Sequence, residues 1–202
     1  MGDVYQENGV DNMPDYIEVQ VKKSMIDFAN KKIKEVKFNR KELNKFGSEK
    51  GRTFFGYLGQ AMVYDYLGIP EVDTFDFDGI YNNEKLEIKT ISCKFEPYSH
   101  YLCTVNSHDL EGVHKQQADH YVFTRIKNDK SIGWILGYIS CEEFFKKGIF
   151  KSKGSEITSN PNVGKFEKAN ATVLEIQELY NIRELMKRTT DKWLRGKELF
   201  FE

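Results

Sequence analysis

The chain has 202 residues, 40% apolar and 14% aromatic, with 30 Lys and Arg against 31 Asp and Glu for a net charge of −1. That core-forming fraction excludes a disordered chain, the near-neutral balance argues against a general nucleic-acid coating protein, and 4 Pro with 15 Gly exclude a fibrous one. No apolar run approaches the roughly 18 residues of a membrane span, and Cys93, Cys103 and Cys141 are odd in number and too widely spaced for a disulfide framework or a zinc ribbon.

Residues 1–15 are polar and read as a tail. The acidic start Met1-Gly2-Asp3-Val4-Tyr5-Gln6-Glu7 lacks the features of a signal peptide, so a cytoplasmic protein is expected. From Val19 to Val36 the apolar residues Val21, Met25, Phe28, Ala29, Ile33 and Val36 recur at helical spacing, with lysines on the other face. Lys45 to Arg52, with Gly47-Ser48 and Gly51, reads as a loop. Thr53 to Leu67 is apolar and aromatic and stops at Gly68-Ile69-Pro70, which predicts a buried helix; Gly56 and Gly59 would let it pack closely.

Two runs of period-two alternation, 74–81 and 84–91, flank Asn82-Asn83 and predict a β-hairpin. Tyr101 to Val105 is a short strand candidate. Ser107 to Ala118 reads as a polar helix with Ser107 as N-cap. Tyr121–Ile126 and Ile132–Ile139 around Lys127-Asn128-Asp129-Lys130 form a second predicted hairpin. Cys141 to Lys147 is a short helix ended by Gly148, Lys151 to Asn170 is turn-rich, and Leu174, Ile176, Leu179, Ile182, Leu185 and Met186 suggest a closing helix. The expected fold is α/β, a central mixed sheet flanked by helices. Residues 1–50 form the tail and basic helical segment, 51–150 the core, and 151–202 the closing loop and helix of one compact domain.

Charge is unevenly spread. Between Gln20 and Arg52 there are eleven Lys/Arg and four Asp/Glu; between Ala61 and Ile88 there are seven acids and only Lys85. A basic stretch can follow a phosphate backbone, whereas concentrated carboxylates call for a positive partner such as a metal ion. With the turn at Asn82-Asn83, Asp78 should face Glu87 and Asp76 should face Lys89. Glu87 and Lys89 share a strand face, so the four polar side chains should converge while Phe75, Phe77, Leu86 and Ile88 turn to the core. Facing carboxylates repel, and Mg²⁺ resolves the repulsion by taking carboxylate oxygens while keeping several waters. A lysine beside that ion can orient a water or offset charge on a phosphorane-like transition state, chemistry suited to phosphodiester hydrolysis.

Asp78 followed across a hairpin by Glu87-Ile88-Lys89, with a helix before it and strand, helix and strand after it, resembles the signature of the PD-(D/E)XK, restriction-endonuclease-like, nuclease superfamily. The resemblance covers roughly residues 50–140. It implies that Asp78 and Glu87 bind Mg²⁺ (with Mn²⁺ able to substitute), that the Ile88 carbonyl adds a ligand, and that Lys89 is the catalytic lysine. Asp76, Gln60, Gln116 and Gln117 become supporting candidates; Gln60 stands where many members carry a Glu. The implied function is a DNA endonuclease with sequence or structure specificity, of restriction-like or homing-like type, able to act as a homodimer. Lys22, Lys23, Lys31, Lys32, Lys34, Lys37 and Arg40 are expected to hold DNA phosphates. The alternative is a catalytically inactive nuclease-like scaffold binding DNA or protein; an RNA-cleaving relative is a third reading, without an aromatic RNA-binding signature to support it. A second Glu-x-Lys, Glu35-Val36-Lys37, has no hairpin aspartate and reads as surface charge. His100, His108, His114 and His120 lack metal-ligand spacing and read as surface or DNA-proximal, while Tyr98, His100 and Tyr101 with Lys94 follow the metal strand where substrate could pass.

Overall fold

The computed structural model describes residues 15–35, 47–72, 74, 76–107, 117–157, 166 and 170–187. In chain order its elements are β1 (Ile17–Gln20), α1 (Lys23–Glu35), α2 (Gly47–Leu67), β2 (Gly79–Tyr81), β3 (Glu84–Cys93), β4 (Leu102–Ser107), β5 (His120–Lys127), β6 (Ile132–Ser140), α3 (Cys141–Lys147), β7 (Ile149–Lys151) and β8 (Asn170–Glu175). A 3-10 turn over Ile176–Glu178 and a helical segment at 182–187 follow. The class is mixed α/β, as expected, but the strands form two sheets rather than one. A five-stranded sheet runs β1-β6-β5-β3-β2, and a three-stranded sheet runs β4-β8-β7. Within the larger sheet β3 and β5 are parallel and the other pairs antiparallel. No helix among the described residues is long and apolar enough to cross a membrane.

Alternation along the central strands splits the core in two. Leu86 and Ile88 of β3, Val122 and Ile126 of β5 and Ile135 of β6 turn to one face, where Met25 and Ala29 of α1 and Leu58, Met62 and Val63 of α2 cover them. Tyr121, Phe123, Trp134 and Leu136 turn to the other face, against Cys103 and Val105 of β4, Leu174 of β8 and Phe144 of α3. Strand β5 is therefore buried on both sides, which accounts for its unbroken apolar run. The pleat slips once, between Phe123 and Thr124, where Leu136 is the extra residue of a β-bulge. There Gly137 adopts φ 148°, and a Cβ would meet the Tyr180 carbonyl, so only glycine fits.

Several expectations need correction. The stretch from Val19 begins as strand, because Ile17 and Val19 pair with Ile135 and Gly133 of β6 before the helix starts at Lys23. Helix α2 starts at Gly47, through the glycines read as a loop; Gly51 and Gly56 have open space around them, so neither serves close packing, and Gly59 alone does. The first hairpin strand is short, Gly79–Tyr81, and Phe77 is half-buried under Lys85 rather than in the core. The expected closing helix is replaced at its start by β8, whose Ala171, Thr172, Val173 and Leu174 are all buried; a strand covered on both faces shows no alternation to read. Ser107 ends β4 rather than capping a helix, and 108–116, most of that predicted helix, lie outside the described residues, as does Phe75. The second hairpin and the helix Cys141–Lys147 are found where expected, the latter capped by the Ser140 hydroxyl accepting from the Glu143 N–H.

Candidate active site

The site grows from the first hairpin. Asn82 and Asn83 sit at φ 55° and 65°, the paired left-handed conformation of a two-residue type I′ turn, which asparagine tolerates well. That turn fixes the register Tyr81↔Glu84, Ile80↔Lys85 and Gly79↔Leu86. One residue further out, the Asp78 N–H donates to the Leu86 carbonyl at 2.8 Å, so Asp78 stands against Glu87 as the sequence predicts. The pairing stops there. Asp76 lies beyond the paired residues of this ladder, so the register no longer sets its partner; Lys89 is ion-paired with Glu87 of its own strand, Nζ to Oε1 at 2.6 Å.

Asp78 is held from two sides. Its Oδ1 accepts from Gln60 Nε2 at 2.7 Å, and its Oδ2 accepts from the Ile88 N–H at 2.7 Å. Its carbonyl accepts from the Tyr64 hydroxyl. Gln60 and Tyr64 are one helical turn apart on α2, so a single helix face grips both the side chain and the backbone of this residue. Gly59 brings that helix onto the sheet: a Cβ there would fall on the Thr90 and Thr124 hydroxyls, which bond each other at 2.9 Å.

Glu87 is 5% exposed, and its Oε2 is buried with no hydrogen-bond partner. Burial, and after it the Glu87 charge, push the Asp78 carboxyl up to about 7, against the opposing pull of the Ile88 N–H and of Lys89. Two adjoining carboxyls, Glu87 buried and Asp78 half-buried, favour a shared proton or positive charge, of which Lys89 supplies one on the Glu87 Oε1 side. The unpartnered Glu87 oxygen and the raised Asp78 carboxyl therefore suit a hard divalent ion, which oxygen ligands accept. The N–H and C=O of one strand residue point the same way. Hence the Ile88 carbonyl looks toward the side from which Asp78 approaches, past the end of β2. Among the described residues no group of three or more His, Cys, Asp and Glu side chains gathers as a metal site; the oxygens that could hold an ion here are those of two carboxylates and a backbone carbonyl.

The remaining candidates divide. Gln60 joins the site; Gln117 is exposed and is not brought to it, and Gln116 lies outside the described residues. Of the basic set, Lys22 is exposed and paired with Asp65 at 2.7 Å, and Lys32 is half-buried and paired with Glu71 and with Glu35. Lys23, Lys31 and Lys34 are exposed on α1, and Lys37 and Arg40 lie outside the described residues, as do Val36, His108 and His114. His120 is not a surface group. It is 8% exposed, its Nε2 lies 3.0 Å from Glu84 Oε2, and its ring meets Tyr138 edge-on.

Two partners escape sequence reasoning. Tyr64 acts on a backbone carbonyl, and the signal available for it is its spacing of four from Gln60. Tyr121 is opposite Glu87 in the parallel ladder, under the Lys89 ammonium at 6.0 Å, and hydrogen-bonded to the Cys141 side chain. Burial pushes the Cys141 thiol up to about 12, so this cysteine stays a neutral neighbour of the carboxylates.

The chain was compared with protein-family models, with curated proteins and with solved structures, and none of them matches it. The functional reading therefore rests on the site itself.

Proposed function

We propose that this protein is a Mg²⁺-dependent DNA endonuclease with a restriction-endonuclease-like core, cutting at a defined sequence or structure. The observation that carries the reading is the meeting of the Asp78 and Glu87 carboxyls across a hairpin, with Lys89 on Glu87 and one buried Glu87 oxygen unpartnered. Asp78, Glu87 and the Ile88 carbonyl would hold the ion. A bound divalent ion supplies charge neutralisation at the phosphate and lowers the pKa of a coordinated water. Gln60 and the Ile88 N–H fix the Asp78 carboxylate, so the oxygens are oriented before any ligand arrives. Lys89 presents an ammonium, with more than one donor, to the attacking water and to the charge that builds on the phosphate oxygens. Exposed Lys23, Lys31 and Lys34 support DNA binding through phosphate contacts.

The test is cleavage of supercoiled plasmid and long linear DNA in Mg²⁺, Mn²⁺ or EDTA. Wild type should cut only with metal. Glu87→Gln and Lys89→Ala should each lower the rate by about two orders of magnitude or more, as expected for loss of a metal ligand or of an electrostatic stabiliser. DNA binding without cutting by the wild type would favour the inactive scaffold, for which the neutral Gln60 amide is the specific support.

A further inference from the structure

Beyond the metal end of β3 the structure carries a second feature. Glu87, Lys89, Ile91 and Cys93 alternate onto one strand face, and Ile91 is 36% exposed on it. At about 3.3 Å per residue this face runs roughly 13 Å from Lys89 to Cys93. It leads to the loop 94–101. That loop displays Phe95, the most exposed large apolar side chain among the described residues at 71%, and Tyr98 at 46%. His100 is exposed and stacks on Tyr98, with centroids 5.7 Å apart and planes 15° apart. Tyr101 meets both rings edge-on at 5.2 Å.

The loop is held firmly although its rings are exposed. The Tyr101 N–H donates to the Tyr98 carbonyl, the Gln177 N–H to Ser99 and the Ile176 N–H to Tyr101. The Tyr16 hydroxyl donates to Glu96, the loop's one carboxylate, at 2.6 Å. Arg125, opposite Ile91 in the ladder, lies 4.9 Å from the Tyr101 ring centroid and donates to the Leu102 carbonyl, while its buried Nε has no partner. Rings fixed by backbone bonds yet left open to water lose little order on binding a flat ligand. Exposed Lys94, at the loop's start, adds positive charge of the sign a phosphate chain requires.

We propose that Tyr98 and His100 form a stacking platform for unpaired nucleobases, so that the preferred substrate is DNA with a single-stranded segment beside the cleaved bond. The link to cleavage rests on the nuclease reading above; the stacking does not. Every base has a π-face, so the platform is tolerant of sequence and selective for unpaired strands.

Fluorescence anisotropy in EDTA, where no cutting occurs, tests the platform directly. The probes are labelled oligo-dT, the same length of RNA, a blunt duplex, and that duplex with a single-stranded tail. Wild type should bind oligo-dT and the tailed duplex more tightly than the blunt one. Tyr98→Ala should weaken binding to both by about tenfold, the equivalent of one lost base stack, and leave blunt-duplex binding unchanged. Tyr98→Phe, which keeps the ring, should bind as wild type, so a folding defect cannot mimic the result. Equal affinity for blunt and tailed duplex, or no effect of Tyr98→Ala, overturns the proposal. Tighter binding to RNA than to DNA overturns its choice of substrate, and binding of a proline-rich peptide with no affinity for any nucleic acid would make the loop a protein-docking surface instead. Cleavage that survives Tyr98→Ala on blunt DNA but not Glu87→Gln would leave the nuclease standing whichever way the platform falls. A Tyr98-dependent affinity in a protein that never cuts would leave the platform standing alone.

Discussion

Asp78 titrates near neutrality because burial and Glu87 both oppose its charge. Its folded value of about 7 lies above the ordinary 3.8, so between those values the folded state binds the proton that the unfolded chain releases. The free energy of unfolding therefore falls as pH rises through that window and levels off above it. Glu87→Gln removes the second cause and leaves the first. The Asp78 midpoint, followed by carbon-detected titration of its side-chain carboxyl, should drop toward the ordinary range in this variant without reaching it; an unmoved midpoint would mean that the two carboxyls do not interact. At this scale the sequence is informative where geometry is rigid. A two-residue turn and a period of two place Asp78 opposite Glu87 and put Lys89 beside it. The same logic stops short of Asp76, because nothing in the pattern marks where the paired strand ends, and the ladder ends at Gly79. Gln60 is reachable only through the family resemblance, and Tyr64 only through spacing, since its bond is to backbone.

Helix α2 joins the site to the core, and its glycines differ in what surrounds them. Gly51 and Gly56 face open space, whereas a Cβ at Gly59 would fall on the Thr90 and Thr124 hydroxyls. Gly56→Ala should stabilise the protein by about 0.5–1 kcal/mol by restricting the unfolded chain. Gly59→Ala should destabilise it by about 1–3 kcal/mol through overpacking. Under the proposed function it should also reduce cleavage, because Thr90 adjoins Lys89. Denaturant titration of the two variants checks the contrast, and equal effects of the same sign would refute it. Both glycines look alike in the sequence, which carries the helix but not what lies across from each residue. The two hairpins and α3 were legible because their signals are local: a turn, alternation, an N-cap serine. Strand β8 was not, because its four consecutive buried residues follow neither period.

Taken whole, the molecule has two cores on opposite faces of one sheet, and β5 contributes to both. Phe144, fully buried, packs against Tyr121 and Phe123 on the face that also carries Glu87 and Lys89. Phe144→Ala should cost about 3–5 kcal/mol, and if the sheet couples the cores, fluorescence of the buried Trp134 and far-ultraviolet circular dichroism should report one shared transition at a lower midpoint. Two separated transitions would show that the cores melt independently. The second sheet was invisible in the sequence for a simple reason. It pairs β4 with β8 across most of the C-terminal half, and no local pattern announces a partner so distant.

The brevity of β2 has one more effect. Only Glu84–Leu86 of β3 meet a partner strand on that side; from Ile88 to Cys93 none pairs there among the described residues. The segment Ile88-Lys89-Thr90-Ile91-Ser92-Cys93 is rich in β-branched residues and holds a single charge. Such an edge is a template for the same strand of another molecule, and a lysine is the usual guard against that self-association. Lys89 is the one charge on that segment, so Lys89→Ala should raise self-association, which light scattering checks. Of the two substitutions that test the proposed function, Glu87→Gln leaves that charge in place, and a silent Lys89→Ala protein has to be shown free of aggregates before its silence speaks about chemistry.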